Sequence, residues 1–493
     1  MRRRTASIVV IGLLASAFAP VGAAHAAARG GTGCLDPSAP LPVEEARLGN
    51  TLPDNADPSR PQARPFADQM IDGGGFGGFA PALTRELCRT DGFAAAKTLV
   101  LRDGRRLWHA AVDRVQGRRV KGPLPATDDR PLYWTRLKER AVLHQWRPGF
   151  DLSDHQRAAL VTLFDKASRG MFGIRYPKGV QRVIMSGFDP YTLDGGETGS
   201  APGTVGNNIR HGNPSGAVAL ALDGARYRTK RGKTAVIEAY MLPVNYTEFR
   251  AGYIEDTVGP AMRKGVDASI TVSQAVDSEF WLEQWNGRYH GVSPGNDKSQ
   301  PCPNVDGTPQ LAVDNHGCDT SVVPRWGGPK RFQLHNPPQW TTTTLPVGNM
   351  IRADTGASVP RPPGDEWPDT SVAFGVIWHT SYTEFPDCRS TATVQRNTPV
   401  PTTYPPATPP VPPDAGSCSY SGGGGNYLSN ESAYRNTLLR DRLGRHIPAG
   451  HIHTPDMQHF TGKFDVSDAT FNAWRTSIVA QTRNLIDAVA DTL

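Results

Sequence analysis

Apolar and polar positions change rhythm near residue 180. Before that point, from about 80 to 172, apolar residues recur at helical spacing. The clearest segment is Ser153 to Arg169. Ala159, Leu160, Leu163, Phe164 and Ala167 share one face, Ser153 and Gln156 are spaced as a capping box, and Gly170 is a natural stop. The glycine cluster Gly73–Gly78 reads as a loop. A phosphate cradle would need a preceding strand and a following helix with a lysine, and no such lysine follows.

Beyond 180, short apolar runs alternate with helical stretches. Gln181–Ser186 reads as a strand, with Gly187–Tyr191 as a loop at its end. Asn213–Gly216 leads into an apolar helical run, Ala217–Leu222. Thr234–Leu242 is a second strand, Ala251–Lys264 a helix and Ala268–Ser273 a third strand. The alternation predicts an α/β sheet. From about 296 to 417 the rhythm breaks into turn-rich sequence with a polyproline-like stretch at Pro399–Pro413, and only Val372–His379 is strand-like. Helical pattern returns at Leu428–Leu443. A short strand is expected at Ile447–His453 and a long terminal helix at Asp465–Leu493, with Phe471, Trp474, Ile478, Thr482 and Ile486 near one face.

At 493 residues the chain is too long for one ordinary domain. Three parts are expected: a signal peptide over 1–26, a mainly helical accessory region over 27–175 and an α/β domain over 176–493. The leader is read from Arg2–Arg4, the apolar run Ile8–Phe18 and the cleavage-like Ala24-His25-Ala26. Its apolar run is short for a membrane span, so a secreted, extracellular protein without a membrane partner is expected, by either export route. The net charge of +6 is spread along the chain. One basic cluster, Arg114, Arg118, Arg119 and Lys121, lacks interleaved aromatics, so no nucleic-acid partner is expected. Six cysteines in an oxidising compartment suggest three disulfides. Proximity favours Cys34–Cys88, Cys302–Cys318 and Cys388–Cys418, with other pairings open. None has C-x-x-C spacing, and no metal or organic cofactor is implied.

Three ordered blocks resemble the pyroglutamyl peptidase I (pyrrolidone-carboxylate peptidase) family. The first is Ser186-Gly187-Phe188-Asp189-Pro190-Tyr191 with Asn213-Pro214-Ser215. The second is Val272-Ser273-Gln274-Ala275 with Glu283. The third is Tyr427-Leu428-Ser429-Asn430 with Ala449-Gly450-His451-Ile452-His453-Thr454-Pro455. The resemblance implies a three-layer α/β/α sandwich of phosphorylase/hydrolase-like type and a peptidase removing N-terminal pyroglutamate. It implies Ser429 at the family's cysteine nucleophile position, His453 as base and Glu283 as orienting acid, with Glu279 the alternative to Glu283. Phe188 and Tyr191 would flank the lactam ring, and Gln274 and Asn430 would line the substrate site. The sequence departs from the family at Val276-Asp277-Ser278, where Gly-Gly-Arg is expected, in the 296–417 insertion and in the N-terminal half.

The chemistry accords with these positions. Pyroglutamate has no free amine, so its pocket should be apolar, with backbone groups meeting the ring amide. A serine hydroxyl needs a base during attack, whereas a cysteine beside histidine can ionise beforehand. The carboxylate would fix the imidazole tautomer. A helix start after Gly422–Gly425 would offer N–H groups to an oxyanion. Taken alone, Ser429 reads as a helix N-cap, and the match at His453 is what marks it as a site residue. Two other readings stay open: a non-catalytic peptide-binding module that keeps the pocket, and a hydrolase of another ester or amide. Cys418 is a displaced-nucleophile alternative. A peptide or small amide is the expected partner, and the sequence leaves the oligomeric state open. Peptide mass mapping without reduction should find three disulfides; free thiols at Cys388 and Cys418 would overturn the local pairing.

Overall fold

The computed structural model describes residues 33–493, apart from 201, 203, 276–278, 290, 292, 300–336, 356–357, 361–370, 389, 458–459 and 461. The leader, Cys302, Cys318 and the Val276-Asp277-Ser278 departure lie outside the described residues. Disulfides join Cys34 to Cys88 and Cys388 to Cys418. These are two of the expected pairs, and Cys418 is thereby removed as a nucleophile. Both bonds are consistent with an oxidising compartment. Among the described residues, no helix is long and apolar enough to cross a membrane.

A seven-stranded mixed sheet organises the second half. Its strands in chain order are β1 (Gln181–Phe188), β2 (Arg226–Arg228), β3 (Thr234–Leu242), β4 (Ala268–Gln274), β5 (Phe280–Glu283), β6 (Val376–His379) and β7 (Ala449–Thr454). Across the sheet they run β6-β5-β7-β4-β1-β3-β2. β7, β4, β1 and β3 are mutually parallel, β5 runs antiparallel to β7, and β6 is parallel to β5.

Alternation within the strands decides what each face meets. Val183, Met185, Ile270, Val272, Leu282 and Ile452 pack in one cluster with helix Pro214–Leu222 and helix Ala469–Ala490. On the opposite face, Ile184, Tyr240 and Leu242 pack with helix Tyr253–Arg263 and helix Leu428–Arg442. Helices therefore cover both faces. Strands sealed on both sides normally read as continuous apolar runs. The second face departs from that between β4 and β6, where it is polar: Ser269, Thr271 and Ser273 on β4, His451 and His453 on β7, Glu283 on β5 and His379 on β6.

The boundaries follow local chemistry. The capping box at Ser153 is present in both directions. The terminal helix starts at Ala469, later than the apolar pattern suggests, because Asp468 caps it by accepting the Phe471 N–H at 2.9 Å. The last sheet strand starts at Ala449, because Pro448 has no N–H to give, although its carbonyl accepts from Ser269.

Residues 43–167 form only helices in their regular elements. Leu83, Leu107, Trp134 and Phe164 from these helices share a cluster with Leu220, Met241 and Phe464 of the later chain. The contact is also ionic. Arg136 Nη1 lies 2.7 Å from Asp189 Oδ1, and Arg169 Nη1 lies 2.6 Å from Asp189 Oδ2, all three side chains being buried. Removing one member of such a pair strands a charge and costs about 3–5 kcal/mol.

The 296–417 segment adds more than loop. It supplies β6 to the main sheet, and Tyr382–Phe385 pairs with Val394–Arg396 and Cys418–Ser421 in a three-stranded sheet. Limited proteolysis should cut near Pro399–Pro413, between the bonded cysteines. The products should co-elute in size exclusion and separate only on a reducing denaturing gel. Separation without reductant would overturn this architecture.

Candidate active site

The site grows from the polar stripe. Adjacent strands hold side chains in register on one face. Thr271 pairs with His451, Ser273 with His453, Trp281 with His453, and Glu283 with both His451 and His379. Glu283 is fully buried and bridges two imidazoles. Its Oε1 lies 2.6 Å from His453 Nδ1 and its Oε2 lies 2.8 Å from His379 Nδ1. Burial alone would raise this carboxyl, but the His379 charge and the hydrogen bonds from both rings outweigh it and hold it at about 2. As a carboxylate it can only accept, so each Nδ1 carries the proton. Neutral His453 then has an unprotonated Nε2, the tautomer a general base needs.

The neighbouring histidines differ from His453. His451 is fully buried; its Nδ1 lies 2.7 Å from Thr271 Oγ1 and its Nε2 2.8 Å from Ser273 Oγ. Burial and the nearby His453 keep its pKa far below the ordinary value, so it is a neutral strut. His379 stacks on Trp281 with ring centroids 4.4 Å apart. Burial opposes its protonation, yet the Glu283 charge and hydrogen bond raise its pKa overall.

Above the stripe lies a cavity of about 400 Å³. Ser429, His453, His379, Trp281, Gln274 and Tyr191 are among its lining residues. Ser429 sits in the first turn of helix Leu428–Arg442, whose N-cap residue Tyr427 provides no side-chain cap. The first-turn N–H groups and the positive end of the helix dipole therefore lie beside the hydroxyl. The preceding glycines pass directly over the stripe. A Cβ on Gly423 would collide with Glu283 Oε2, and one on Gly424 would come 3.1 Å from His453 Cε1. The glycine run lets the backbone cover the carboxylate while leaving the base reachable.

A side niche of about 20 Å³ is lined by Phe188, Tyr191, Gln274, Tyr427 and Ser429. Phe188 is buried and stacks parallel to Phe249 at 6.2 Å. Gln274 is 5% exposed, and both atoms of its carboxamide are buried without a hydrogen-bond partner. An amide left so would gain from a ligand that both donates and accepts.

The structure thus gathers Ser429, His453, Glu283, Phe188, Tyr191 and Gln274. Glu279 instead accepts from Trp281 Nε1 at 3.3 Å. Asn430 is adjacent, but its carboxamide bridges both backbone groups of Gly287, at 2.9 and 2.7 Å, and so faces that strand. His379 was missed by sequence reading, because it lies in the insertion, far along the chain from every motif. The strand-like run Val372–His379 was its only signal.

The family model for the PA0049 C-terminal domain matches residues 182–458, and that for the PA0049 N-terminal domain matches 23–165. A curated relative, uncharacterized protein PA0049 of Pseudomonas aeruginosa, is 43% identical over 506 residues, covering 92% of this chain and 90% of that one. The chain belongs to the PA0049 family. Solved structures with some likeness include pyroglutamyl peptidase I from Bacillus amyloliquefaciens, at 16% identity and a TM-score of 0.32, covering 63% of this chain and 95% of that one. Pyrrolidone carboxyl peptidase from Pyrococcus furiosus gives 15% identity and 0.34, covering 63% and 99%.

Glu283 and His379 act in opposite pH windows. Glu283 has a depressed pKa, so its contribution to stability is present above the ordinary carboxyl range and is lost as pH falls towards 2. His379 has a raised pKa, so its contribution is full below about 6.5 and fades as pH rises through its folded value. Thermal unfolding should therefore show Glu283→Gln approaching the parent protein only at acid pH, and His379→Gln approaching it only at alkaline pH. Differences that do not vary with pH would refute the charge pairing.

Proposed function

We propose that this protein is a hydrolase that removes N-terminal pyroglutamate, or a related N-capped amide, from a peptide or small amide. Ser429 attacks the acyl carbon, His453 takes its proton and later protonates the leaving amine, and Glu283 holds the imidazole. The observation that carries the reading is the 2.6 Å bond from His453 Nδ1 to the buried Glu283 carboxylate, at a cavity Ser429 also lines. The ordered motif blocks shared with pyroglutamyl peptidases support the same assignment.

The niche beside Ser429 suits the acyl group. Phe188, Tyr191 and Tyr427 give aromatic walls, and the unpartnered Gln274 carboxamide can pair with a lactam, which both donates and accepts. At about 20 Å³ the niche holds roughly one water. A five-membered ring therefore enters only if the niche widens around it. The helix N-terminus at Ser429 supplies donors for the oxyanion. The leader-like N-terminus and the two disulfides support action outside the cytoplasm.

One observation favours a second reading, a binding module without turnover: among the described residues, no hydrogen bond joins the Ser429 hydroxyl to His453. Unliganded sites often tighten only around substrate, so assay decides between the two. A fluorogenic pyroglutamyl amide should be cleaved by the mature protein. Ser429→Ala and His453→Ala should each lower kcat/KM by about a thousandfold or more, and thiol alkylation should have no effect. Activity abolished by iodoacetamide but retained in Ser429→Ala would overturn the assignment. Binding without turnover, in the parent and in Ser429→Cys, would establish the module.

A further inference from the structure

Strand order gives the cavity a direction. The acyl niche sits at the ends of β1 and β4, through Phe188 and Gln274. The base His453 is on β7, its carboxylate on β5 and His379 on β6. Across the sheet these strands follow as β1, β4, β7, β5 and β6. His379 therefore lies on the far side of the base from the acyl niche, where the departing half of a substrate must extend. That wall is built by the insertion, which also contributes Ser381, Tyr382, Thr383 and Gln395 to the lining.

Two carboxylates act on His379, Glu283 directly and Glu279 through its place beside Trp281, and neither lines the cavity. Among the described residues, no carboxylate and no lysine or arginine lines the cavity; its ionisable side chains are histidines and tyrosines. The negative charge of Glu283 lies beneath the cavity, with its two oxygens engaged by the two rings and Gly423 above it. His379 gives its Nδ1–H to Glu283, so its remaining nitrogen is the one free for a ligand. Stacking on Trp281 fixes the plane of the ring. Hydroxyl and amide groups line the same cavity.

We propose that His379 and the neighbouring insertion wall form a leaving-group subsite for a carboxylate on the residue that follows the scissile bond. The proposal rests on the functional reading above and adds a substrate class: short N-capped peptides whose departing residue is acidic or carries the free C-terminus. A protonated His379 donates Nε2–H to that carboxylate, and Glu283 balances the charge. The residue acts on the substrate's departing half; the proton of the reaction stays with His453.

The test uses full-length mature Ser429→Ala protein, which binds without consuming its ligands, and three probes: pyroglutamyl-alanine, pyroglutamyl-alaninamide and pyroglutamyl-glutamyl amide. By calorimetry, the free-carboxylate peptide should bind about tenfold more tightly than the neutral amide, as one charge-assisted hydrogen bond predicts. Ser429→Ala/His379→Gln should lose that preference. Tight binding of the glutamyl amide identifies a side-chain carboxylate as the recognised group; tight binding of pyroglutamyl-alanine alone identifies the C-terminus. Imidazole resonances of histidine-labelled protein provide a check free of the second substitution: the carboxylate peptides should shift His379, and the neutral amide should not. Equal binding of all three probes, or a preference that survives His379→Gln, overturns the subsite while leaving the pyroglutamyl reading in place. Failure of all three to bind overturns both.

Discussion

A carboxylate with no solvent exposure governs the design of this molecule. Moving such a charge out of water is expensive unless donors replace the lost hydration. Glu283 obtains two, from rings on the strands either side of its own. That requirement explains why β5 runs between β7 and β6, and why a distant segment returns to the sheet edge. It also explains why the chain crossing above is glycine at 423, where any side chain would meet the carboxylate.

A second buried charge ties the two halves together. Asp189 lies between Phe188 and Tyr191, two of the aromatics that line the side niche. Its carboxylate is held by Arg136 and Arg169 from the helical half, and its backbone carbonyl accepts from Asn213 Nδ2 at 3.1 Å. The N-terminal helices thus fix one wall of the niche, while the insertion fixes the opposite end of the cavity. The sheet carries Glu283, His453 and His379 between them.

Much of this was legible in the sequence. The helix beginning at Ser153 could be read from its cap and apolar face, and the strands ending in Phe188 and Gln274 from short apolar runs with turn residues after them. β5 was not legible: it spans four residues and gains its identity from partners far along the chain, and β6 was legible only as the strand-like run Val372–His379. His379 shows the same limit, since the local pattern gives it a strand and only register across β5 brings it to Glu283. Asn430 shows the converse. Its place beside Ser429 suggested a ligand contact, yet the backbone of Gly287 takes its whole carboxamide. The choice between Glu279 and Glu283 likewise depended on strand register, because only the latter shares the polar face with the histidines.

The Cys388–Cys418 bond has a consequence for how the two sides of the cavity are held. Cys418 opens the strand Cys418–Ser421, which runs directly into the glycines that roof Glu283. Its partner follows the strand that supplies Tyr382 and Thr383 to the wall. Oxidation therefore clamps roof to wall in a single covalent step, independent of the serine below. Without the bond, roof and wall would be joined through the pairing of Tyr382–Phe385 with Cys418–Ser421 and the packing around it.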